Sequence, residues 1–246
     1  MKIVIVIPAR LESTRLPEKP LIDLNGKSMI QRTYEQCIKA ISSDLVFVAT
    51  DDEKIFKHCE NLNIQVVLTS KNCLTGTDRV AEFAKIHTAD YYINVQGDEP
   101  LINPEDIKEV IRTVKKNTGE VINGYASIDK NDHYRSLSIP KVVFRPDGRL
   151  LYMSRSSIPG NKNNEYSMAW RQICIYGFPK DSLMEFSNQN NKTVLENEED
   201  IEILRFLELG YEVRMVELSK SSISVDTLND VDEVLKKIKK NDLKGI

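Results

Sequence analysis

Residues 2–20 read KIVIVIPARLESTRLPEKP, and this stretch decides the fold. From Lys2 to Ile7 the run is continuous and β-branched, with no polar alternation after its first position. A run of that kind fits a central parallel strand covered on both faces. A polar, basic loop follows at once, from Pro8 to Pro20. In open parallel sheets ligands bind beyond the carboxyl ends of the strands. A basic loop in that position is therefore placed to meet an anion. The apolar run is too short to span a membrane, and no small-residue cleavage site follows it. The expectation is a cytoplasmic protein with no membrane segment.

Working outward, helix and strand patterns alternate. Ser28 to Ile41 repeats apolar residues at helical spacing through Met29, Ile30, Tyr34, Cys37, Ile38 and Ile41. Leu45 to Ala49 reads as a strand, and Asp51 and Asp52 are placed to cap a helix through Asn61. Gln65 to Leu68 reads as a strand, Asp78 to His87 as a helix, and Tyr91 to Val95 as a strand that runs into Gly97-Asp98-Glu99-Pro100. This alternation predicts an α/β, Rossmann-like fold: a mostly parallel twisted sheet with helices on both faces. From about Tyr125 the pattern turns to antiparallel or mixed strands, with a turn at Pro146-Asp147-Gly148 and a polar loop or lid at Asn161–Tyr166. Glu196 to Glu208 reads as one amphipathic helix, Val213 to Leu218 as a late strand, and Val231 to Ile238 as a closing helix. With no repeat and no clear linker, the expectation is one domain over 1–246 with a smaller mixed subdomain inserted at about 125–195.

Composition narrows the function. The chain has 246 residues, 41% hydrophobic and 29% charged, with a formal net charge of −3. No basic excess points to nucleic acid. Cys37, Cys59, Cys73 and Cys174 are scattered without a CxxC pair, which speaks against a disulfide framework or a zinc site. His58, His87 and His133 are isolated and read as surface or packing residues.

The loop after the first strand holds Arg10, Arg15 and Lys19, with Ser13, Thr14 and loop amides as further donors. A nucleoside triphosphate carries about four negative charges, so several cations and donors must converge on it. The reading stands against that of a solvated basic loop. GxxxxGK[ST] and GxGxxG are both absent. Asp98 and Asp226 each end a strand-like segment. Two carboxylates suit Mg²⁺, which fills its octahedron with water and phosphate. The alternatives are a turn role for Asp98 and a helix cap for Asp226. In Thr75-Gly76-Thr77-Asp78-Arg79, Gly76 permits close backbone approach, and Thr77 could equally cap a helix.

The ordered set RLESTRLPEKPL, GKSMI, ATDDE (49–53), LTSKNCLTGTDRVAE (68–82), NVQGDEPLI (94–102), KVVF (141–144), LYMSRSSIP (151–159), IYGF (175–178) and VDT (225–227) resembles the 3-deoxy-manno-octulosonate (Kdo) cytidylyltransferases over nearly the whole chain. The resemblance implies a homodimer built through a dimerisation subdomain, Mg²⁺ as cofactor, and CTP with an acidic 2-keto-3-deoxy sugar as substrates. It implies Arg10, Lys19 and Asp98 as catalytic residues and Asp98 and Asp226 as metal ligands. Ala9, Arg10, Ser13, Arg15, Lys19, Thr75, Gly76, Thr77 and Arg79 would meet the nucleotide. Gln96, Lys141, Arg155, Gln172, Tyr176 and Glu202 would meet the sugar. Arg155 suits a carboxylate through paired hydrogen bonds, against a plain surface ion pair. No residue stands out as a general base. Three positions depart from the pattern: Gln172 where His is usual, Cys174 where Gly is usual, and Ile203 where Gln is usual. They leave the acceptor open to a relative of Kdo. A spore-coat-type cytidylyltransferase and a non-catalytic nucleotide-binding module remain as other readings.

Overall fold

The computed structural model describes residues 1–12 and 16–242. Ser13 and Arg15, both expected to meet the nucleotide, lie outside the described residues.

Strand β1 (Ile3–Ala9) is buried along its whole length. Ile3, Ile5 and Ile7 enter one apolar cluster, and Val4 and Val6 enter the cluster on the opposite face. The unbroken run of apolar residues follows from this double covering. The next elements are α1 (Met29–Cys37), β2 (Val46–Thr50), α2 (Glu53–Asn61), β3 (Val66–Leu68), α3 (Gly76–Ile86) and β4 (Tyr91–Val95). β1 pairs parallel with β2 and β4, and β2 pairs parallel with β3. The caps follow the sequence: Ser28 accepts from Gln31 N at α1, and Asp52 accepts from Lys54 N at α2. At α3 the cap is Thr75 rather than Thr77, accepting from Asp78 N.

The second half holds α4 (Pro104–Lys116), β5 (Val121–Ser127), α5 (Asn131–Arg135), β6 (Lys141–Phe144), β7 (Leu150–Ser154), β8 (Trp170–Pro179), α6 (Lys180–Ser187), α7 (Val194–Glu199), α8 (Ile203–Glu208), β9 (Val213–Glu217) and α9 (Leu228–Asp242). The sheet order is β3-β2-β1-β4-β8-β5-β9, with β6 and β7 off this path. β8 runs antiparallel between β4 and β5, and β5 pairs parallel with β9. The long β8 outruns β4: Val95 sits opposite Ile175, while Arg171 and Trp170 go on to pair with Lys141 and Val142 of β6. The β6–β7 hairpin therefore extends the sheet past the carboxyl end of β4, where a ligand site is expected.

Further features differ from the sequence expectation, the short helices α5 and α6 among them. α4 is an added helix, started by Asn103 accepting from Glu105 N and by Pro104. It buries Ile107, Val110, Ile111 and Val114 at helical spacing. The single helix expected over Glu196–Glu208 is two helices, broken at Asp200 with φ 50. The cause is Arg155, whose guanidinium donates to the carbonyls of Glu199 and Asp200. A continuing helix would need those acceptors for its own N–H groups. Among the described residues no helix is long and apolar enough to cross a membrane.

Candidate active site

A cavity of about 790 Å³ opens at the carboxyl ends of β1 and β4. Ala9, Arg10, Lys19, Thr75, Gly76, Arg79, Gln96, Asp98, Glu202 and Asp226 all line it. Segments from five parts of the sequence meet there, at the edge where β1 and β4 end. Close backbone contact makes this possible. A Cβ on Gly97 would lie 2.9 Å from the Pro8 carbonyl oxygen, so only glycine lets the turn after β4 approach β1 so closely. Val225 N donates to the Asp98 carbonyl at 2.9 Å, which brings the 225–227 segment alongside.

Lys19 follows Glu18, which adopts a left-handed conformation with φ 53. Its Nζ donates to Asp98 Oδ2 at 2.6 Å and to Asp226 Oδ1 at 3.0 Å. Burial opposes the charge on Lys19, but Asp98 and Asp226 outweigh it and hold the pKa above its ordinary value. Asp226 does not cap α9. Thr227 accepts from Asp230 N there, and the Asp230 carboxylate accepts from Asp226 N and Thr227 N. Two carboxylates thus converge on one cation, a donor set that fits a hard divalent ion completing its shell with water and phosphate.

Glu202 joins two groups of expected residues. Its carboxylate accepts from Gly76 N at 3.2 Å, from Thr77 N at 2.9 Å and from the Thr77 hydroxyl. It sits on the positive end of α3. Burial raises its pKa, and the bonds from Thr77 work against that rise. A Cβ on Gly76 would lie 3.2 Å from either terminal atom of the Gln96 amide, so the two residues face each other closely across the pocket wall. Arg79 is buried and donates to Asp51 at 3.0 Å, tying α3 to the end of β2.

Gln172, Cys174 and Tyr176 alternate along β8 and share one face. Gln172 Nε2 donates to Asn123 Oδ1 at 3.1 Å and to the Tyr176 hydroxyl at 3.4 Å. Tyr176 stacks on Phe178 with ring centres 5.6 Å apart, and burial holds its hydroxyl pKa well above the usual value. Both lie behind the cavity lining.

Lys141 and Arg155 are placed differently from the expectation that they meet the sugar. Lys141 is fully buried and donates to the carbonyls of Ser136 and Ile139, each at 2.8 Å, and to that of Arg155. Burial, with Arg155 nearby, pushes its pKa down to about 8. Arg155 donates to the carbonyls of Glu199 at 2.6 Å, Asp200 at 3.0 Å and Leu137 at 3.1 Å. Neither lines the cavity, and both hold backbone turns beside it. Conversely, the cavity is also lined by Lys192 and Asp200, which the sequence reading does not single out. Lys192 is one charge within a polar, Asn-rich run, and only its spatial pairing marks it.

The fold and the site together define a nucleotidyltransferase of the cytidylyltransferase class, and residues 4–219 match the family model described as Cytidylyltransferase. The chain is 41% identical to the 3-deoxy-manno-octulosonate cytidylyltransferase of Chloroherpeton thalassium, over 95% of this chain and 96% of that one. It is 36% identical to the enzyme of the same name from Protochlamydia amoebophila, over 95% of this chain and 93% of that one. The solved structure of CMP:2-keto-3-deoxy-manno-octonic acid synthetase complexed with CTP superposes with a TM-score of 0.91 at 33% identity, covering 98% of this chain and 100% of that one. The chain belongs to the 3-deoxy-manno-octulosonate cytidylyltransferase family.

Proposed function

We propose that the chain transfers CMP from CTP to the anomeric hydroxyl of Kdo and releases pyrophosphate. The observation that carries this reading is the meeting of Lys19, Asp98 and Asp226 at the strand edge, within a chain similar throughout to Kdo cytidylyltransferases. The acceptor oxygen attacks the α-phosphorus in line. Its O–P bond forms, the bond to the pyrophosphate oxygen breaks, and the proton of the acceptor hydroxyl passes to water.

Arg10 and Lys19 hold the triphosphate and meet the negative charge that grows on the leaving pyrophosphate. Thr75 and Gly76 border the base, where a side chain on Gly76 would crowd Gln96. Gln96 and Glu202, both set against Gly76, face the acceptor. Asp98 and Asp226 would hold a magnesium ion, since two converging carboxylates suit it. When bound, magnesium supplies neutralisation of charge on the phosphate oxygens.

The segment at about 125–195 is read as a dimerisation subdomain of a cytoplasmic homodimer. Leu137, Leu151 and Met168 support this, being 69%, 58% and 52% exposed on that segment.

The test is pyrophosphate release with CTP, UTP, ATP and GTP, each with and without Kdo. Release should require CTP and Kdo together. Equal release with a purine triphosphate would overturn the reading.

A further inference from the structure

Lys192 and Asp200 line the same cavity as Arg10, Lys19 and Glu202. Lys192 lies in the connection between α6 and α7, and Asp200 ends α7 in the left-handed conformation. Lys192 Nζ donates to Asp200 Oδ1 at 2.7 Å. The Arg155 guanidinium stands 3.8 Å from Asp200 Oδ2. Lys192 above all, then Arg155 and Arg10, hold the Asp200 carboxyl below its ordinary pKa, against the effect of burial. One carboxylate is thus faced by cations from three elements at the mouth of the pocket.

Two other cations of the pocket, Lys19 and Arg79, are bound more firmly. Lys19 is shared between Asp98 and Asp226, and Arg79 is buried against Asp51. Asp200 is 70% exposed, and a pair of that kind is weak and easily exchanged. The anion that best replaces an aspartate carboxylate is another carboxylate. A triphosphate is served by the loop after β1, whereas Asp200 lies two residues from Glu202 and beside Arg155.

We propose that Lys192 is a further acceptor-binding residue: the carboxylate of the acid sugar displaces that of Asp200 from Lys192, and Asp200 occupies the subsite until then. This rests on the acceptor being an acid sugar, as proposed above. Asp200 is therefore a competitor built into the chain, and Lys192 a determinant of specificity for a charged acceptor.

The test is steady-state kinetics of pyrophosphate release, with CTP and Kdo varied separately. Lys192→Met should raise the KM for Kdo about tenfold, the size of one lost charge-assisted hydrogen bond, with the KM for CTP changed less than about twofold. Lys192→Arg should restore most of the loss. Asp200→Asn keeps a residue that tolerates the left-handed backbone and should lower the KM for Kdo about two- to fivefold. An unchanged KM for Kdo in Lys192→Met, or a rise in the KM for CTP instead, would overturn the proposal and leave the functional reading intact. A native enzyme that does not use CTP with Kdo would overturn both.

Discussion

Lys19 and Asp98 stand 79 positions apart in the chain and meet at 2.6 Å. The bond spans the two loops that end β1 and β4, and Asp226 completes it from a third at 3.0 Å. The cation of the loop after β1 is thereby placed by the same carboxylates that suit a divalent ion. Because the folded pKa of Lys19 lies above 10.5, its contribution to stability is complete below that pH. It is lost only as pH rises through the folded value. Near neutrality the Lys19 ammonium held between Asp98 and Asp226 stays charged.

Asp98→Asn should lower kcat by on the order of 10³-fold while the protein stays folded. Asparagine has the same shape, and Lys19 keeps its bond to Asp226. Turnover measured at saturating magnesium, alongside a thermal melt, checks this. Near-native turnover would show that the carboxylate takes no part in the chemistry.

Arg205→Met should destabilise the fold by about 3–5 kcal/mol, because it strands a buried carboxylate. Arg205 donates through Nε and a terminal nitrogen to Glu196, both at 2.6 Å, and to Asp78 at 2.9 Å. Arg205 and Glu196 are fully buried. The expected fall in melting temperature is roughly 6–20 °C for a chain of this size. A Glu196→Leu, Arg205→Met double variant removes the stranded charge and should recover part of it. A single variant that melts like the native protein would refute the argument.

What could be read from the sequence follows from where the information lies. β1 was legible because a strand covered on both faces is apolar at every position, and β2 to β4 because their short, mostly apolar runs alternate with helical spacing. The site loops were legible because they follow those strands directly, with charged and glycine residues in fixed order. α4 carries the same spacing of Ile107, Val110, Ile111 and Val114 as any amphipathic helix. Lys141 and Arg155 are different. Their partners are backbone carbonyls brought close by the tertiary fold, and such bonds leave no pattern in the sequence. The same holds for Lys192, a lone charge until Asp200 is placed beside it.

The departures at positions 172 and 203 should act in opposite ways. Both read from the sequence as changes at the sugar end. In the structure Gln172 belongs to a polar chain, bonded to Asn123 and Tyr176 on the face of β8 behind the pocket. Ile203 is 1% exposed and belongs to the apolar cluster with Phe178 and Phe206. A glutamine at 203 would bury an amide among apolar side chains, which costs about 1–3 kcal/mol without a partner. Ile203→Gln should therefore lower the melting temperature by roughly 2–12 °C. The KM for Kdo should change less than about twofold. Gln172→His keeps a donor beside Asn123 and Tyr176 but replaces an amide with a titratable ring. It should move the KM for Kdo by about two- to tenfold, with an effect that varies between pH 5 and 8. Melting curves and acceptor kinetics of the two single variants separate these outcomes. A gain in Kdo affinity from Ile203→Gln would show that position 203 reaches the sugar after all, and that its burial in the core does not decide its role.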